Sequence, residues 1–247
     1  MQWIKKKEIL GKRITEMLYD ASMIKTWYRD RSEGWTLHSG IWSPIYINLR
    51  HLGSYPEIYK EVGHALGKLI KNECPKVNRI VGIATAGVPI ASAISCLEDY
   101  SMGYTRKMEG VKTIEDFRKA ITDYGQHTIV EGHFENNDNI ILVDDLVTRL
   151  TSKLIAIEQL QTELKRRNIK AQANKILVLL DREQGALQMA QDHNLLLYSL
   201  IPFKNKGINW LKEKLSGLEF ETISDYLDNS EKYQNQTIQD DLKKKAK

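Results

Sequence analysis

Two adjacent carboxylates, Asp144 and Asp145, stand at the end of the apolar run in ILVDDLVTRLTSKL. Hard cations take oxygen ligands, so such a pair suits ribose hydroxyls or a Mg²⁺ ion held through water. A hydroxyl-bearing turn follows, and Thr148, Thr151 and Ser152 lead into an amphipathic helix. Unpaired N–H groups and the helix dipole at such a start favour a phosphate. The same residues also describe a solvated acidic turn with threonine helix caps. Further on, LLDREQG puts Arg182 one residue past a second apolar run. A guanidinium there can clamp a planar carboxylate through paired hydrogen bonds, or pair on the surface with Asp181 or Glu183. The small residues of GIATAGVPIA (82–91) let a backbone come close, either to a ligand or to a packed helix.

These side chains converge only if the elements carrying them share an edge. The spacing of Ile9, Ile14, Leu18 and Met23 predicts a helical lead-in over 8–28, and alternation through Ile45, Ile47 and Leu49 a half-buried strand. Ser54 is placed to cap the helix YPEIYKEVGHALGKLIKNE. Short apolar runs at RIVGIA, SMGYTR, NIILVDD, KILVLLD and LLLYSLIP alternate with helical stretches. That alternation predicts an α/β fold, a central parallel sheet flanked by helices, whose ligands bind at the carboxyl ends of the strands. Residues 107–138 are charged and aperiodic, which predicts a long functional loop with local helix near Thr113–Ala120. The last residues, 231–247, are polar and lysine-rich and read as a disordered tail after one domain spanning 1–230.

Bulk composition narrows the function classes. The 247 residues carry a formal net charge of +4, from 36 Lys and Arg against 32 Asp and Glu. Residues 230–247 hold five Lys and three acids, about half of that excess, so the folded part is close to neutral and no nucleic-acid partner is expected. No apolar run approaches the roughly 18 residues of a membrane span, and the N-terminal MQWIKKKEIL has no signal core, so the expected location is the cytoplasm with no membrane partner. Cys74 and Cys96 are too far apart for a metal-ligand pair and read as reduced thiols.

Taken in order, WTLHSGIWSPIYINLR, YPEIYKEVGHALGKLI, VGIATAGVPIASAIS, YTRK, YGQHTIVEG, ILVDDLVT and LLDRE resemble the orotate phosphoribosyltransferases over roughly residues 9–203. The resemblance implies a type I phosphoribosyltransferase fold with a small N-terminal hood from about 1–52 and a flexible loop over about 107–138. It also implies transfer of ribose 5-phosphate from phosphoribosyl diphosphate (PRPP) to orotate, with Mg²⁺ and a homodimer. By position, Asp144 and Asp145 would hold the ribose hydroxyls and, indirectly with PRPP, the metal. The turn through Arg149, Thr151 and Ser152 would hold the 5′-phosphate, with the Arg149 charge attracting it. Thr148 and Arg182 would contact orotate, Arg106 and Lys107 the diphosphate, and His38 stands where the family carries a basic side chain near the ligand.

The pattern breaks in two places. The family turn carries glycine where this chain has Arg149 and Leu150. A branched side chain there is expected to crowd the phosphate, and left-handed backbone would cost a non-glycine residue roughly 1–2 kcal/mol. The loop lysine before Tyr124-Gly125 is replaced by Thr122, leaving Lys112 or Lys119 to act from a longer loop. Both losses fall on phosphate contacts, so a catalytically impaired or non-catalytic homologue with a binding or regulatory role is the alternative expectation.

Overall fold

The structure, a computed structural model, describes residues 2–37, 40–123 and 127–246. The chain opens with α1 (Gln2–Asp20), then the short strands β1 (Ile24–Thr26), β2 (Trp35–Thr36), β3 (Trp42–Ser43) and β4 (Ile45–Ile47). Next come α2 (Pro56–Glu73), β5 (Arg79–Gly82), α3 (Gly87–Glu98), β6 (Ser101–Thr105), α4 (Ile114–Asp123) and β7 (Val130–Glu131). The second half holds β8 (Asn139–Val147), α5 (Thr151–Arg166), β9 (Gln172–Asp181), α6 (Ala186–Asp192) and β10 (Leu196–Pro202). It closes with α7 (Ile208–Trp210), α8 (Gly217–Asp228) and α9 (Gln236–Lys245).

Six strands form one sheet in the order β10-β9-β8-β5-β6-β7, parallel except where β7 pairs antiparallel with β6. The N-terminal strands make two separate antiparallel pairs, β1 with β4 and β2 with β3. Strand periodicity sends alternate β8 residues to opposite faces. Ile141 and Val143 join the core built with α1, α2 and α3, whereas Ile140 and Leu142 join the core under α4, α5 and α6.

The sheet runs further than the apolar runs suggest. The expected strand NIILVDD ends at Asp145, but β8 continues to Val147 because β9 stays paired beside it, Leu146 opposite Leu180 and Val147 opposite Asp181. The acid pair therefore lies inside a hydrogen-bonded ladder rather than in a loop. The glycines of GIATAGVPIA are explained by packing. A Cβ on Gly87 would come within 2.1 Å of the Val143 carbonyl, and one on Gly82 within 2.8 Å of the Val88 Cα. Glycine thus brings the start of α3 against the middle of β8.

Two expectations require correction, and a third is extended. Ser54 does not cap α2: Tyr55 is its N-cap residue, without a side-chain bond, and Pro56 starts the helix. The local helix expected near Thr113–Ala120 is α4, which runs over Ile114–Asp123 and buries Phe117. Asp116 accepts the Lys112 and Thr113 N–H groups at 3.0 and 2.9 Å, and Arg118 pairs with Glu158 of α5 at 2.6 Å. The lysine-rich end is not a disordered tail. Tyr233 stacks on Trp42, the Gln234 side chain bonds both the N–H and the carbonyl of Trp42, and the Trp27 indole donates to the Leu242 carbonyl. Burial of Tyr233 and Leu242 offsets the ordering entropy that composition alone leaves unopposed. Among the described residues, no helix is long and apolar enough to cross a membrane.

Candidate active site

The carboxyl ends of β8 and β9 open into a cavity of about 900 Å³. Thr148 and Arg149 line it from the turn after β8, and Arg182 from the end of β9. Leu37 and Ile41 come from the N-terminal segment, and Tyr226 and Ser230 from the end of α8 and beyond. His38 lies outside the described residues.

Arg182 is the unusual group here. Only 7% of it is exposed, and its Nε and Nη2 have no hydrogen-bond partner. Burial lowers its pKa from the ordinary value, and the neighbouring Tyr226 hydroxyl works in the opposite sense. Its backbone N–H continues the ladder to the Val147 carbonyl at 3.0 Å, which fixes where the side chain starts. The surface pairing considered from sequence does not occur. Asp181 is buried and accepts the Glu183 N–H at 2.7 Å, while Glu183 turns to Asn205. Buried polar groups are normally hydrogen-bonded, so a cavity-lining arginine whose Nε and Nη2 are buried without partners suits a planar anion able to supply two acceptors.

The acid pair divides its work. Asp144, 7% exposed, accepts the Asp145 N–H on Oδ1 at 2.9 Å and the Lys153 ammonium on Oδ2 at 2.8 Å. Asp145 is half-buried, and its Oδ1 accepts the Leu146 N–H at 2.7 Å. Burial, then the Asp144 charge, push the Asp145 pKa up to about 7, against the lowering influence of Lys153. Sequence reasoning missed Lys153. The signal was present: with Ala156, Ile157, Leu160 and Leu164 it falls on the buried stripe of α5, a place where lysine needs a partner.

Leu150 corrects the expected steric block. It is fully buried in the core beneath α5, and its backbone is right-handed (φ −84°, ψ −6°), so neither phosphate crowding nor left-handed strain arises. It is a packing residue beneath the turn. Thr151 and Ser152 remain exposed in the first turn of α5, a 16-residue helix in which the next two N–H groups, of Lys153 and Leu154, already bond the Leu150 carbonyl at 2.8 and 2.9 Å. A Leu150→Gly change is therefore expected to destabilise the fold by about 3–5 kcal/mol, from the cavity and the added chain freedom, without improving phosphate affinity. Urea unfolding alongside PRPP titration checks both parts.

Arg106 and Lys107 line a second cavity of about 380 Å³ beside Thr85 and Thr105. Their position is set from α5: the Gln159 amide donates to the Arg106 and Ile129 carbonyls at 2.9 and 2.7 Å, and Glu163 accepts the Ile129 N–H at 3.0 Å. Lys112 sits in the turn before α4 and, among the described residues, lines neither cavity. Tyr124 and Gly125 lie outside the described residues.

Mg²⁺ was expected at Asp144 and Asp145. The described residues contain no group of three or more His, Cys, Asp or Glu able to hold a metal. Asp144 is moreover committed to Lys153. The donor set fits an ion carried by substrate phosphates and touched by one carboxylate, the usual habit of Mg²⁺, and not a protein cage.

An open parallel sheet with an acid pair in its central strand, a helix start beside it and a buried guanidinium on the next strand end defines a phosphoribosyltransferase fold. The chain is 34% identical to the orotate phosphoribosyltransferase of Fusobacterium nucleatum over 156 residues, 63% of this chain and 67% of that one. It is 34% identical to the Saccharolobus solfataricus orotate phosphoribosyltransferase over 192 residues, 77% of this chain and 87% of the relative. The crystal structure of orotate phosphoribosyltransferase from Aeropyrum pernix shares the fold, with a TM-score of 0.62 at 22% identity over 81% of this chain and 97% of that one. No family model matches the sequence. The chain belongs to the orotate phosphoribosyltransferase family.

Proposed function

We propose that this protein transfers ribose 5-phosphate from PRPP to orotate, releasing diphosphate and forming orotidine 5′-monophosphate for pyrimidine biosynthesis. The bond from the anomeric carbon to the diphosphate oxygen breaks, the bond to the orotate nitrogen forms, and that nitrogen loses its proton. The observation that carries this reading is Arg182, a buried guanidinium with two partnerless donors on a residue that lines the same cavity as Thr148. Orotate brings a planar carboxylate to match it, which purine bases lack.

The remaining residues take roles consistent with their places. Asp145 meets the ribose hydroxyls and opposes the positive charge that grows on the sugar as diphosphate departs. Thr151 and Ser152, with their backbone N–H groups at the start of α5 and the Arg149 charge, receive the 5′-phosphate. Arg106 and Lys107 meet the diphosphate from the neighbouring cavity. Mg²⁺, when bound with PRPP, neutralises charge on the leaving diphosphate. Lys112 has no role supported by its present position, since among the described residues it lines neither cavity. Burial of Leu150 removes the steric argument for a non-catalytic homologue.

The test is spectrophotometric. Purified protein with PRPP, Mg²⁺ and orotate is expected to deplete the orotate absorbance, and absence of turnover at high enzyme concentration would sink the proposal. The same reading takes the protein to be a cytoplasmic homodimer, and a monomer in size-exclusion chromatography with light scattering would refute the dimer.

A further inference from the structure

Lys153 is a buried cation placed between the two residues that flank Asp145. Its ammonium donates to Asp144 Oδ2 at 2.8 Å and to the Leu146 carbonyl at 2.7 Å, and only 5% of the residue is exposed. A lysine taken out of water at that depth is tolerated only with charge and hydrogen-bond partners, and both are supplied here. The contacts run from α5 to β8 across the sheet–helix interface, seven positions along the chain from the carbonyl they hold. They also consume Asp144. With Oδ2 on Lys153 and Oδ1 on the Asp145 N–H, the first carboxylate is satisfied within the protein, and the half-buried second one stands three residues before the cavity-lining Thr148.

We infer that Lys153 is a positioning residue for the transfer reaction: by gripping the side chain of Asp144 and the carbonyl of Leu146, it sets the backbone on both sides of Asp145 and with it the direction in which the Asp145 carboxylate meets the ribose of PRPP. This inference rests on the proposed function and deepens it. The same lysine holds the Asp144 carboxylate in place. A buried pair of this kind gives register more than stability, and the register here is that of the strand end against the start of the phosphate-facing helix.

The experiment is a double-mutant cycle on the full chain with K153M, D144N and D144N/K153M. It reads kcat, the KM for each substrate, PRPP binding by calorimetry with Mg²⁺, and the melting temperature. K153M is expected to lower kcat/KM for PRPP at least tenfold while the KM for orotate stays within twofold. D144N is expected to do the same alone but to add less than twofold on the K153M background, since both changes cut one link. The double variant leaves neither charge buried alone, so if K153M fails to fold the double variant against wild type carries the same comparison. A lowered melting temperature with unchanged PRPP kinetics shows a merely structural lysine and overturns the inference, as do single-variant losses that multiply. Wild-type protein that binds PRPP without turnover removes the proposed reaction and leaves the cycle to be read from Kd. Wild-type protein that neither binds nor turns over PRPP overturns both.

Discussion

Arg182→Met is expected to lower kcat/KM for orotate by roughly 10²–10³-fold and, at the same time, to raise the melting temperature of the substrate-free protein. The first effect follows from losing one side of a buried, hydrogen-bonded charge pair, a change worth about 2–5 kcal/mol. The second follows from the idle Nε and Nη2 of a residue that is 7% exposed. A buried donor without a partner costs about 1–3 kcal/mol, and methionine fills similar space without a donor. For a chain of this length each kcal/mol regained moves the melting temperature by about 2–4 °C. Steady-state kinetics with orotate varied at saturating PRPP, together with calorimetric melting, reads both. Opposite signs for activity and stability would mark Arg182 as a binding group held in readiness. A variant with unchanged orotate kinetics would remove the main support for orotate as the acceptor.

Asp145→Asn is the second large effect, and its sign depends on pH. Burial and the Asp144 charge raise the Asp145 pKa from 3.8 to about 7 in the folded protein. The folded state therefore holds this proton more tightly than the unfolded chain does. Below about pH 4 both states are protonated and nothing is lost. As pH rises toward 7 the unfolded chain releases the proton first, stability falls, and above pH 7 the full penalty is present. Asparagine does not titrate, so the variant is expected to melt higher than wild type at pH 8, with the gap shrinking as pH falls toward 4. Activity moves the other way: losing the negative charge opposite the developing sugar cation is expected to reduce kcat by about 10²–10³-fold. Melting curves across that pH range, without substrate or metal, decide the stability part. A gap that is constant with pH would show that the Asp145 carboxyl is not held in its neutral form by its surroundings.

Both predictions link a cost in the resting protein to a task in the reaction. Arg182 and Asp145 sit on adjacent strand ends in states that are unfavourable until a partner of complementary charge or hydrogen bonding arrives. Active sites commonly store instability in this way, and the surrounding β8–β9 ladder and the two cores on its faces supply the excess stability that permits it.

Much of this was legible in the linear chain. The alternation of short apolar runs with amphipathic stretches determined the parallel sheet, since only that arrangement buries both faces of such runs. The order of the motifs placed Asp144, Asp145, Thr148 and Arg182 at strand ends, because strand ends are local features and residue types are read directly. What lay beyond the sequence was direction and partnership. Whether Leu150 faces a phosphate or the core depends on where α5 docks, and it faces the core. Whether Arg182 pairs with Asp181 or stays idle depends on the turn that takes Glu183 to Asn205. The lysine-rich end looked unable to order itself, yet Trp27 reaches Leu242 across 215 positions and Trp42 reaches Gln234 across 192. Composition counts what a segment can bury within itself, whereas the tertiary structure adds what distant residues bury for it. The sequence by itself determined which groups stand at the strand ends, and the packing of α5 and α8 against them decided which are spent on the fold and which are left for a ligand.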